Sequence, residues 1–166
     1  MALAYESDNI ANEKYNPASA PHSAREVYRA LGKVTVGDPL VENDLVGLVV
    51  LPANCIPTDI KLICDELTEA GTDIVFDVGI LNAAKTDLVP NSLLIEGSIM
   101  CQANGGVQDM NRDQCVFEVA TWLAEATCPG INEEKIIAMK ITTPATTEKA
   151  GNVHAIVDYR SAENGV

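Results

Sequence analysis

Apolar residues return at every second position through most of this chain after residue 33, the spacing required by an extended strand with one buried face. In 59–67, Ile60, Leu62 and Cys64 share one side while Asp59, Lys61 and Asp65 share the other, with Ile63 the exception. In 73–80, Ile74, Phe76, Val78 and Ile80 alternate with Asp73, Val75, Asp77 and Gly79. The intervening LTEAGT carries Gly71, which supplies a positive φ, so these two strands are expected to form a hairpin. The C-terminal third repeats the pattern. Ile137, Met139 and Ile141 face one way, and later Val153, Ala155, Val157 and Tyr159 oppose Asn152, His154, Asp158 and Arg160. The link TTPATTEKAG is polar and broken by Pro144 and Gly151.

Further strands are expected at 33–36, 44–51 and near 93–100. The segment 115–123, CVFEVATWL, fits either period, and its Val, Phe, Thr and Trp content leans toward a strand. Up to eight strands result, separated by Gly, Pro, Asn and Thr links. The expected fold is all-β, an antiparallel β-sandwich of jelly-roll type. The gaps lack the amphipathic helices that parallel crossovers need. Loops 81–92 and 101–114 are the longest, and QANGGVQDMNRDQ reads as an exposed one.

Residues 1–32 differ in composition and are expected to form an extended N-terminal arm, with AREVYRAL (24–31) giving a short helix that Gly32 stops. Residues 33–166 then make the sandwich domain, within the size of one domain for a chain of 166 residues. Tyr5, Ile10 and Tyr15 are large anchors in an otherwise polar stretch, which fits an arm that orders on a neighbouring subunit.

Charge removes whole classes of partner. Eleven Lys and Arg against 24 Asp and Glu leave a net charge of −13, and nucleic acid or anionic membrane would need clustered cations. The acidic start has no signal-peptide pattern and no apolar run reaches the length of a membrane span, so a cytosol-like compartment is expected. Five cysteines, Cys55, Cys64, Cys101, Cys115 and Cys128, form an odd set without a CxxC pair. They are expected to be small buried apolar groups, neither a disulfide framework nor a zinc site.

Chemistry is sparse. The histidines are His22, in the arm, and His154, on the polar side of a strand. No GxSxG marks a nucleophile, and Gly105-Gly106 lacks the rest of a phosphate loop. Asp65, Glu66, Glu69, Asp73 and Asp77 crowd the expected hairpin, where alternation makes them a solvated face and not a cation site. No catalytic, cofactor-binding or metal residue is assigned, and no enzyme or cofactor is expected.

Two blocks, 51–81 and 133–160, resemble capsid decoration or cement proteins of tailed bacteriophages. In that group a Leu-Pro turn precedes a strand, and a Gly-containing hairpin leads into a strand of the form Leu/Phe-Asp-Val-Gly. An Ala-Thr-rich loop and a strand ending in Tyr close the chain. Here those positions are Leu51-Pro52, Gly71, Phe76-Asp77-Val78-Gly79, Pro144 to Gly151, and Tyr159. The resemblance implies a jelly-roll homotrimer, made in the host cytoplasm, on the outer surface of an icosahedral head, bridging major capsid protein subunits. Two other readings are a carbohydrate- or receptor-binding sandwich of a head fibre or tail, and a trimeric jelly-roll hydrolase acting on nucleotides. Trp122 as the only Trp weighs against the former, and the scattered Arg25, Arg29, Arg112 and Arg160 against the latter.

Overall fold

The computed structural model describes residues 27–37, 39–69, 74–102, 105–109, 121 and 123–162, together with the backbone of residues 5–6. The strands are β1 (Tyr5–Glu6), β2 (Val27–Val36), β3 (Leu45–Leu51), β4 (Cys55–Cys64), β5 (Val75–Ile80), β6 (Ile95–Ser98), β7 (Gly106–Asp109), β8 (Lys135–Thr143) and β9 (Gly151–Ser161). They form two sheets, ordered β1-β3-β8-β5-β6 and β2-β9-β4-β7. Every pairing is antiparallel except β1 with β3, where Tyr5 and Glu6 lie parallel to Val46 and Gly47.

The expected β-sandwich is the observed architecture, and period two is what builds it. Val153, Ala155, Val157 and Tyr159 of β9 are buried while the residues between them reach the surface. Ile60 and Leu62 of β4, Phe76, Val78 and Ile80 of β5, and Ile137, Met139 and Ile141 of β8 join them in one core. Each large side chain so enclosed contributes about 1.5–3 kcal/mol relative to exposure. Tyr28 and Tyr159 lie against each other, ring centres 6.2 Å apart.

Four expectations need correction. Residues 27–31 are not helical: β2 begins at Val27 and pairs with β9 over ten residues, from Val27 opposite Arg160 to Val36 opposite Gly151. A division of the chain at residue 32 therefore cuts through a strand. Its inward positions include Ala30 and Gly32, too small to leave a hydrophobic period, so the tract looked like a helix with a stop.

The expected hairpin of β4 and β5 does not exist, since β4 pairs with β9 and β7 while β5 pairs with β8 and β6. Alternation marks a strand with one buried face, and both sheets of a sandwich offer such a face.

The expected loop 101–114 contains the edge strand β7, with Val107 opposite Ile63 and Gly106 opposite Cys64. The segment 115–123 falls mostly outside the described residues, and Thr121 and Leu123 have helical backbone. The fourth concerns the cysteines, two of which are bonded to each other.

The two sheets present very different outer faces. On one, the segment after β5 folds back. Leu81 and Leu88 pack on Leu45 and Ala138, joined by Leu93 and Ile136. Ser92 fastens this cover, its hydroxyl donating to the Val89 carbonyl (2.8 Å) and accepting from the Ile80 amide (3.1 Å). Among the described residues, no comparable segment covers the outer face of β2-β9-β4-β7.

Candidate interaction surface

Register determines what that second face displays. Leu31 stands opposite Ile156, Lys33 opposite His154, and Ile63 opposite His154 on one side and Val107 on the other. The apolar members form a stripe across all four strands, with Leu31 60%, Ile63 39% and Val107 62% exposed. Leu31, Lys33, Ile63, His154 and Ile156 line a shallow depression of about 460 Å³ on it. Large apolar side chains grouped on an outer face are a mark of association.

Charge on the face is balanced. Arg29, Lys33, Lys61 and Arg160 point outward alongside Asp59, Asp65, Asp109 and Asp158. Arg29 grips Asp158 with two bonds, Nε to Oδ1 at 2.7 Å and an Nη to Oδ2 at 2.8 Å. These bonds hold the Asp158 carboxyl below its ordinary pKa and raise that of Arg29. Lys61 and Asp109 pair more loosely at 3.4 Å. Asp65 accepts from the Asn152 side chain (2.8 Å) and backbone amide (2.9 Å), which lowers its pKa.

The carboxylates expected to share one hairpin are thus dispersed. Asp65 braces the start of β9, Glu66 pairs with Lys149 at 2.6 Å, and Asp77 accepts from the Gly97 amide at 2.8 Å. Asp73 lies outside the described residues. Among the described residues no group of three or more His, Cys, Asp or Glu is placed to hold a metal ion. Of the expected arm anchors, Tyr5 contributes backbone to β1 beside Val46, while Ile10 and Tyr15, like His22, lie outside the described residues.

Two features were missed at the sequence level. Ile63 was visible there as the one break in the alternation of β4, an apolar residue on the polar side. Val107 carried no signal, lying in a stretch rich in Gly, Asn and Gln.

The cysteine expectation also needs correction. Cys64, at the end of β4, is bonded to Cys101, just beyond β6, with Cα atoms 5.7 Å apart. This disulfide joins one sheet to the other. An odd count without a CxxC pair does not exclude a single bridge between partners 37 residues apart, because the two meet only once the layers stack. Cys55 and Cys128 remain thiols. Burial pushes both pKa values up, which keeps them protonated and poor as nucleophiles.

Near these thiols sits Lys135, fully buried at the start of β8. Its ammonium donates to the carbonyls of Gly130 (2.9 Å), Glu133 (3.0 Å) and Ile131 (3.3 Å), clamping the turn that leads into the strand. Desolvation lowers its pKa, opposed by nearby Cys128, Cys55 and Glu133. Lys135→Met keeps the stem and strips three carbonyls of their donor. It is expected to cost about 2–4 kcal/mol in urea unfolding; a loss under about 0.5 kcal/mol, the size of an ordinary surface change, would show that the clamp contributes little.

No protein-family model matches the sequence, and no curated protein matches it. Among solved structures, a chain in the capsid of Ralstonia phage GP4 is similar in fold, with TM-score 0.73 and 24% identity over 96% of this chain and 98% of that one. A chain in the capsid asymmetric unit of cyanophage Pam1 is similar with TM-score 0.59 and 18% identity over 89% of this chain and 94% of that one. At these identities the likeness is one of fold, and it spans nearly the whole of both partners.

Proposed function

We propose that this chain is a bacteriophage virion protein that decorates an icosahedral capsid and stabilises it by bridging major capsid protein subunits, as a homotrimer on the outer surface. The observation that carries the reading is the near end-to-end likeness to chains of two phage capsids, 98% and 94% of those chains being covered. A shared core alone would match only part of each chain. The strand order β2-β9-β4-β7 against β3-β8-β5-β6 supports reading the sandwich as a jelly roll, two interlocked Greek keys. A protein of this kind acts by mass action: it binds the assembled lattice more tightly than free subunits and so shifts the balance toward the shell.

The arm is the part of this reading closest to a partner. β1 adds to the outer edge of β3 through its backbone, a mode of attachment that any extended segment can use. Purified protein is expected to co-sediment with capsids of its own phage and to occur in purified particles by mass spectrometry. Removing residues 1–24 is expected to leave the circular dichroism of the sandwich intact while weakening attachment at least tenfold. Absence from particles together with failure to co-sediment would refute the virion role. Full attachment of the shortened chain would refute the role of the arm.

A further inference from the structure

We infer that the outer face of the β2-β9-β4-β7 sheet, centred on Ile63, Ile156 and Val107, is the surface through which copies of this chain associate with one another. This deepens the homotrimer reading above by assigning the surface, and it rests on that reading.

The two outer faces differ in how their apolar residues are covered. The fold covers the apolar residues of the β3-β8-β5 side with its own segment 81–94, where Leu81 and Leu88 are 1% and 8% exposed. On the opposite side, Ile63 and Val107 lie directly across from each other in the ladder and remain 39% and 62% exposed. Neighbours of this kind on a pleated surface act as one apolar patch.

Charge selects a second copy as the occupant. A chain of net charge −13 repels its own kind over most orientations. Among the described residues this face is the exception, its four outward cations matching its four outward carboxylates. Lys33 and His154 stand directly opposite each other across β2 and β9, beside the depression. Their complement is available on the same chain. Val41, 57% exposed, sits beside Glu42 in a turn held rigid by Asp44, whose carboxylate accepts from the Val41 amide at 2.8 Å. An apolar knob with an acidic flank thus fits an apolar depression with a basic flank. Such a contact between unlike patches is head-to-tail and closes into a ring when the rotation allows.

The test is the mass of the full chain by sedimentation velocity and light scattering. Wild type is expected to be a stable oligomer at micromolar concentration. Ile63→Glu and Val107→Glu, both at exposed positions, are expected to weaken association at least a hundredfold with unchanged circular dichroism. Lys85→Glu, a larger charge change on an exposed loop away from the face, is expected to leave the mass unchanged. Lys33→Glu is expected to weaken association, and adding Glu42→Lys to restore part of it.

A monomeric wild type would overturn both this surface and the homotrimer reading. An oligomer untouched by Ile63→Glu and Val107→Glu would overturn the surface alone. Equal dissociation by Lys85→Glu would show that total charge governs association and would overturn it too. Loss of capsid attachment by Ile63→Glu with an unchanged oligomer would assign the face to another protein and overturn the proposal, while leaving the virion role standing.

Discussion

Replacing Gly32 by alanine is expected to remove about 3–5 kcal/mol of stability. That is a large share of the roughly 5–15 kcal/mol that holds a domain folded. A Cβ at this position would stand 2.0 Å from the carbonyl oxygen of Leu48 and 2.9 Å from Cγ2 of Val49. The obstructing atom belongs to the backbone, so no rotamer change relieves the clash. Strand β2 would have to retreat from β3 by more than an ångström, against a core that does not deform smoothly. Because β2 and β3 belong to opposite sheets, their approach at Gly32 closes that side of the sandwich without a side chain between them. Gly37→Ala supplies the comparison, since nothing lies within 4 Å of its Cβ position, and it is expected to be neutral within about 0.5 kcal/mol. Denaturant unfolding of the two variants measures the difference. A Gly32→Ala loss below about 1 kcal/mol, the average for any substitution, would mean that the two strands do not meet so closely.

Reduction of the Cys64–Cys101 bond is the second large effect. Closing a loop between residues 37 apart removes unfolded-state freedom equivalent to about 3–4 kcal/mol. In a chain of this size that corresponds to a fall in Tm of roughly 6–16 °C. The Cys64→Ala/Cys101→Ala double variant should show the same fall and no further response to reductant. Thiol titration of the denatured, unreduced protein should find three of the five cysteines reactive, since 5 − 2 = 3. Five reactive thiols, or a Tm indifferent to reductant, would refute the crosslink. Such bonds are uncommon in a reducing cytosol and persist outside it. A chain made in a host cytoplasm and carried on a released particle would therefore gain this stability late, after assembly.

How much of this was legible in the sequence depends on the size of the inward side chains. β4, β5, β8 and β9 announce themselves because Ile, Leu, Val, Phe and Met alternate with polar residues. β2 hid its first half, its inward positions there being Ala30 and Gly32, although Gly32 is the residue its packing can least spare. β7 was invisible because a four-residue edge strand needs no apolar period to be paired. Pairing itself was beyond reach. The proximity of β4 and β5 in sequence favoured a hairpin, yet their separation into different sheets follows from the later strands that claim them. The candidate surface was half legible: Ile63 broke the pattern of its strand, but its meaning required β7 to bring Val107 alongside. The Cys64–Cys101 bridge likewise depended on layers that only the tertiary fold brings together.

The order of strands has a consequence for synthesis. β9 lies between β2 and β4, and β8 lies between β3 and β5, so the centre of each layer is supplied by the stretch beginning at Lys135. Until the ribosome has delivered that stretch, β2 lacks β9, the strand it pairs with among the described residues, and β3 and β5 lack their longest partners. Folding of this topology waits for synthesis of β8 and β9, with the slow, long-range closure that such pairings impose. A polypeptide cut short before Lys135 would keep open edges and never acquire the finished shape, so the architecture doubles as a check that both central strands have been made.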